Sequence, residues 1–176
     1  MQIIETQRLK FVPFSPEVIR AAMQERDLVG TLVGVAVPES WPGSDLADVL
    51  PALALQVAQN PSRPIWDGLV IHKADATLIG DIGFMGGPDA QGVVEVGYSI
   101  VPEYRNQGYA TEIVSALARW ALQPPYIHAV TASTREDNLS SIRVLTKVGM
   151  QRVGEEDGMV KWEMRRESSA NPELYS

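Results

Sequence analysis

The sequence contains no cysteine and only two histidines in 176 residues. The missing cysteine excludes disulfides, a thiolate nucleophile and a Cys-ligated zinc. His72 and His128 fall in separate strand-like segments, so no metal-ligand spacing arises from them. No His-Glu-x-x-His, Walker or Gly-x-Ser-x-Gly element occurs, and Gly83-Phe84-Met85-Gly86-Gly87 lacks the dinucleotide-binding spacing. No apolar run approaches the roughly 20 residues of a membrane span. Residues 1–5 lack the basic and apolar regions of a secretory signal, so the expected location is cytoplasmic, with no membrane partner. Basic residues are also in the minority, 15 Lys and Arg against 22 Asp and Glu, for a formal net charge of -7. A nucleic-acid partner, which needs a basic face, is not expected; a cationic amine substrate suits the charge.

The chain is long enough for a real core and short enough for one domain. One domain is expected over residues 1–166, with a frayed polar tail at 167–176. Alternating apolar residues predict strands at 8–14, 65–73, 77–85, 92–101, 126–133, 150–153 and 159–165. Helical spacing predicts helices at 46–59, 109–122 and 139–148. Ser15-Pro16-Glu17 spells the start of another, with Ser as N-cap and Pro in the first turn, running to about residue 27. Residues 30–43 read as a loop, and Pro51 is expected to shift the start of its helix. Helices must then pack on a mixed sheet: an α+β fold of about seven strands and about four helices.

The most informative stretch is residues 95–112. An apolar strand ends at Pro102, a polar turn follows, Gly108 stands at its mouth, and an apolar-periodic helix begins. The first N–H groups of a helix have no intrahelical acceptor, and its dipole favours negative charge there. Gln107, Gly108, Tyr109, Ala110 and Thr111 can offer main-chain donors, and Arg105 a charged fork. A phosphate-bearing ligand is the natural occupant.

Arg105-Asn106-Gln107-Gly108-Tyr109-Ala110 resembles the acyl-CoA motif Gln/Arg-x-x-Gly-x-Gly/Ala of the GNAT N-acyltransferases. Two further elements extend the resemblance. Asn138-Leu139-Ser140-Ser141 precedes an apolar helix and Lys147-Val148-Gly149-Met150, and the chain opens with Thr6-Gln7-Arg8-Leu9-Lys10-Phe11. The opening is similar to the branch containing ribosomal-protein N-terminal acetyltransferases. The resemblance implies the GNAT fold, with its sheet splayed open at a bulge in the 92–101 strand. It implies acetyl-CoA as co-substrate, no metal, and an acceptor amine on a small molecule or a protein N-terminus. It also allows a homodimer. The pantetheine arm would pair with Ile100 and Val101, and Asn138 would contact it or cap its helix. One departure matters: many members carry a Tyr in the last helix that protonates the CoA sulfur, and here Leu145 stands there.

The amine must be neutral to attack. A lysine-like amine lies about three units above neutral pH, about 4 kcal/mol, whereas a peptide α-amine needs only about one unit. Glu95 is the candidate base, on a strand face shared with Gly97 and Ser99. A strand N–H near Ile100 is the candidate oxyanion donor. Ser141, one turn beyond Asn138, is the candidate partner of the departing sulfur. Tyr98 and Tyr109 read as packing residues and Tyr104 as a rim of the cofactor groove. Trp41 reads as core and Asp67 and Asp81 as surface carboxylates, with a wall and a cation attractor on the acceptor side as the alternative. The activity expected is N-acetyl transfer by direct attack in a ternary complex. A catalytically silent acyl-CoA sensor is the alternative that the missing Tyr keeps open.

Overall fold

The computed structural model describes residues 2–166; the expected tail at 167–176 lies outside them. The elements run β1 (Ile4–Glu5), β2 (Leu9–Pro13), α1 (Pro16–Gln24), α2 (Arg26–Val33), α3 (Ser44–Gln59), β3 (Asp67–His72), β4 (Thr77–Phe84) and β5 (Val93–Ile100). A 3-10 turn (Pro102–Tyr104), α4 (Tyr109–Ala121), β6 (Ala129–Arg135), α5 (Leu139–Val148), β7 (Gln151–Glu156) and β8 (Met159–Arg165) complete the chain. The strands form one sheet in the order β1-β2-β3-β4-β5-β6-β8-β7. Every neighbouring pair is antiparallel except β5 and β6.

Local chemistry accounts for several of the helix ends. Ser15 accepts a hydrogen bond from the Val18 N–H at 3.2 Å, the N-cap its position predicts. Gly149 closes α5 in a left-handed conformation. The mixed fold is as expected, with eight strands and five helices among the described residues instead of about seven and about four. The extra strand is the two-residue β1, too short to show a period. The extra helix, α2, occupies part of the expected loop, and α1 stops at Gln24. Gly30 is the first residue of that expected loop. In the fold it sits inside α2 because the returning chain crosses it: a Cβ there would lie 2.7 Å from the Val35 carbonyl oxygen. Pro51 does not shift the start of α3, which runs through it from Ser44.

α4 lays Ile113, Val114, Leu117, Ala118 and Ala121 on the core, each fully buried. Such residues stabilise the fold by about 1.5–3 kcal/mol for each large side chain. They join residues of α1–α3 and the sheet in a single apolar cluster. Among the described residues no helix is long and apolar enough to cross a membrane.

The feature that shapes the site is the parting of β5 from β6. The two pair only from Val93↔Ala129 to Glu95↔Thr131, then separate. The Glu95 carbonyl accepts from the Met85 N–H at 3.0 Å, and the Val101 N–H donates to Ile79 at 2.9 Å. Odd-numbered residues of β5 are therefore engaged with β4, and Tyr98 and Ile100 turn their main-chain groups into the gap. The bulge expected in this strand is absent: the β4–β5 register runs unbroken from Gly80↔Ile100 to Phe84↔Val96. Register shifts fall instead at Val70/Ile71 and at Arg152/Gly154. The gap comes from divergence of two strands that each have a full partner on the other side.

Gly30→Ala should destabilise the chain by about 1–3 kcal/mol, because the Val35 carbonyl cannot retreat without moving the loop. Denaturant unfolding checks this; unchanged stability would mean that the 35–37 segment is free to shift.

Candidate functional site: an anion cradle and an acidic cavity

Gly108 precedes α4 at φ 83°, a left-handed conformation that glycine adopts without strain. Asn106 is also left-handed, at φ 59°. These reversals turn successive amides the same way. Among the described residues, none of the main-chain N–H groups from Asn106 to Thr111 bonds to protein, and no side chain caps the helix. The first intrahelical bond is from the Glu112 N–H to the Gly108 carbonyl. The result is a concave set of donors at the positive end of a helix dipole, a fit for a diphosphate. Each such contact contributes only about 0.3–1 kcal/mol when exposed, so binding depends on several acting together.

A negative charge in the first turn of α4 would repel that ligand, and Glu112 is there. Arg8 pairs with its charge and Thr6 donates a further hydrogen bond to it. The Arg8 Nε donates to Glu112 Oε2 at 2.7 Å, its main-chain N–H donates to Oε1 at 2.8 Å, and the Thr6 hydroxyl donates to Oε1 at 2.6 Å. Partial burial pushes the Glu112 carboxyl up, but these hydrogen bonds and the Arg8 charge hold it below its ordinary value. The same guanidinium donates to the Gln107 carbonyl at 3.0 Å and lies 4.3 Å from the Tyr109 ring centre. The first turn is thus pinned to β2. The Tyr109 hydroxyl meets His72 Nε2 at 3.1 Å, so its side chain packs, as expected, while its amide faces the cradle. Tyr104 donates to Asp75 at 2.8 Å.

Arg105 folds back, its Nε donating to the Ile100 carbonyl at 2.8 Å across the end of β5. Both main-chain groups of Val101 are engaged, with Ile79 and Tyr104, so Val101 has no free donor or acceptor for a pairing ligand. The Ile100 N–H faces the gap. Asn138 caps α5, its Oδ1 accepting from the Ser141 N–H at 3.2 Å. Ser141 and Asn138 share the wall of the cavity that the parted strands enclose.

That cavity measures about 390 Å³. One wall is the sheet face carrying Asp67, Asp81, Gly83, Gly97 and Ser99. Asp81 Oδ2 accepts from the Ser99 hydroxyl at 2.9 Å and from the Trp41 indole at 3.1 Å. Trp41 is buried, as expected of a core residue, yet it also fixes this carboxylate. The two aspartates are not on the open surface: they are half-buried in the cavity wall. Burial pushes Asp81 up to about 6, with Asp45 adding to the rise and the Ser99 and Trp41 bonds opposing it. Burial and the neighbouring Asp81 push Asp67 up to about 6. Glu95 lies on the same sheet face but outside the cavity lining; its Oε1 accepts from the Ser133 hydroxyl at 2.7 Å, and Lys161 donates to that hydroxyl at 3.0 Å. Among the described residues no three His, Asp or Glu side chains cluster to hold a metal ion.

An acetyltransferase (GNAT) domain model matches residues 8–151. The chain belongs to the GNAT acetyltransferase family. Among its relatives, the N-acetyltransferase YjdG of Bacillus subtilis is 29% identical over 150 residues, covering 85% of this chain and 89% of the relative. A GNAT-family acetyltransferase from Bacillus anthracis superposes with a TM-score of 0.66 at 21% identity, covering 93% of this chain and 98% of that one. RimL, a ribosomal L7/L12 α-N-protein acetyltransferase solved with coenzyme A, gives a TM-score of 0.64 at 15% identity, covering 93% and 98%. This GNAT chain is therefore an acyltransferase with acetyl-CoA as donor and an amine as acceptor, and the cradle contains the Arg105–Ala110 stretch that resembles an acyl-CoA motif. Leu145, where many members have the tyrosine acid, is 1% exposed and packs in the core.

Gly108→Val should weaken coenzyme A about tenfold in calorimetry, since a β-branched residue at that φ costs about 1–2 kcal/mol; wild-type affinity would remove the cradle from the binding account. Asp67 makes a separate prediction. Its folded pKa, about 6, exceeds its ordinary 3.8, so its contribution to stability is fullest below pH 4 and is lost as pH rises through 6. Asp67→Asn should melt higher than wild type at pH 8, and the difference should vanish by about pH 4 in thermal scans.

Proposed function

We propose that this GNAT enzyme acetylates the α-amine at the end of an extended acceptor, a peptide or protein N-terminus, by direct attack on acetyl-CoA in a ternary complex. One observation carries the reading. The acidic cavity adjoins a second, largely apolar groove of about 210 Å³, with Val49, Asp67 and Met85 lining both. Leu53, Val57 and Trp66 line the continuation. A cationic amine fits the carboxylate end, and the chain that follows it fits the apolar end. A small amine would use only the first.

The chemistry agrees. A base titrating near 6 is about two units below an α-amine and about four below a lysine amine, so proton removal is far easier from the former. Asp81 is the base we assign, because it faces the cavity beside Ser99 and is held by two neutral donors. Glu95 is the second candidate and reaches the cavity only through Ser133. Arg105–Thr111 would hold the diphosphate and Ile100 the pantetheine and the oxyanion, with Ser141 at the sulfur and Asn138 beside it. A single domain over residues 1–166 and a cytoplasmic location belong to the same proposal.

With acetyl-CoA as donor, release of free thiol should be at least tenfold faster with peptide N-termini than with lysine side-chain or polyamine acceptors at neutral pH. A preference for the latter would overturn the acceptor assignment. The rate should climb through pH 6, Asp81→Asn should abolish that limb with a loss of about 10²-fold or more, and Glu95→Gln should keep it. The reverse pattern would return the base to Glu95.

A further inference from the structure

The departing sulfur needs a hydrogen-bond donor, and the helix position that usually supplies one holds a buried leucine. The Tyr98 side chain projects from β5 on the face of Val94 and Val96, opposite Glu95 and Ser99, and lines the same cavity as Ser141 and Leu145. Its hydroxyl is buried and has no hydrogen-bond partner among the described residues. An orphan hydroxyl of this kind is costly to the fold and is rare without a reason. The polar group beside it is the Ser141 hydroxyl, close enough to act on its ionisation, though the two do not meet hydrogen-bond geometry. Burial raises the Tyr98 pKa, with Ser141 opposing the rise, so the phenol is neutral at working pH and is a donor.

We infer that Tyr98 is the positioning residue behind Ser141: its phenol donates to Ser141 Oγ, which turns the serine proton onto the thioester sulfur. This rests on the acetyl-transfer reading above. A lone serine hydroxyl is a weak donor; a serine that itself accepts a hydrogen bond is polarised and fixed in one rotamer. The pair takes over, from strand and helix together, the task of the absent helix tyrosine. The amine nitrogen forms the new bond to the carbonyl carbon. The C–S bond breaks with its electron pair left on sulfur, which the Ser141 hydrogen bond stabilises. The proton that completes the thiol is the one the amine gives up to the base, and both hydroxyls begin and end neutral.

Coupling between the two residues is the decisive readout. Tyr98→Phe keeps the ring and removes only the oxygen. It should lower kcat about tenfold with the KM for acetyl-CoA unchanged, and Ser141→Ala should lower it at least as much. The double variant should be no slower than Ser141→Ala, because the phenol acts only through the serine. The thiol of bound coenzyme A, titrated by its thiolate absorbance, should have a depressed pKa that returns toward the free value in each variant. Wild-type kcat in Tyr98→Phe, losses that multiply in the double variant, or a thiol pKa that no variant moves would each overturn the proposal. Circular dichroism confirms that each variant is folded. The thiol titration needs no acceptor, so a wrong acceptor assignment, visible as no turnover with any amine, is distinguishable from a wrong role for Tyr98.

Discussion

Everything at this site depends on a helix that begins without a cap. The amides at the start of α4 are left free where Gly108 and Asn106 reverse the chain before it, and none of the described residues returns to accept from them. A polar side chain often resolves that deficit, as Ser15 and Asn138 do for α1 and α5. Here the deficit is left open, as the proposed diphosphate surface, and two sets of side-chain bonds hold its shape. Arg8 and Thr6 restrain Glu112 and anchor the first turn to β2, and Arg105 anchors the approach to it by bonding the last carbonyl of β5. A cradle made of main chain needs such anchoring, since no side-chain ligand would keep its shape.

The second constraint is the incomplete β5–β6 ladder. Three paired residues join the halves of the sheet, and beyond them Tyr98 and Ile100 have main-chain groups facing a gap. The gap connects the two faces of the sheet. On one side are α4, α5, Tyr98 and Ser141; on the other, Asp67, Asp81 and Trp41 beneath α3. On the proposed reading, an acyl donor gripped at α4 and an amine held by the aspartates would meet where the strands part, which suits direct transfer between them. Burial in the cavity pushes both carboxyls up to about 6, so the enclosure itself tunes Asp81, the base proposed above.

The cradle was legible in sequence because it is local: strand, Pro102, Gly108 and helix follow one another within a few residues. The fold was legible for a similar reason, from strand alternation and from caps such as Ser15 and Gly149. What the sequence hid is non-local. α2 straddles the end expected for the first helix and the start of the 30–43 loop, and the close approach of Val35 to Gly30 is visible only in the fold. Asp67 and Asp81 read as surface charges because their burial follows from the registers that set Asp67 against Gly83 and Asp81 against Ser99. Trp41 reads as core and is core, but its bond to Asp81 joins a loop to a strand that no local pattern connects. The orphan hydroxyl of Tyr98 is likewise a property of packing, invisible in a strand whose alternation marks it as an interior residue.

The most direct test of the whole account is the response of the main-chain amides to the donor. Titrating coenzyme A into isotope-labelled protein, followed by amide NMR, should shift the resonances of Asn106 to Thr111 most strongly, with smaller changes at Tyr98 and Ile100 along the open edge of β5. Binding that leaves the 106–111 amides unmoved, or that moves a different helix terminus instead, would contradict it.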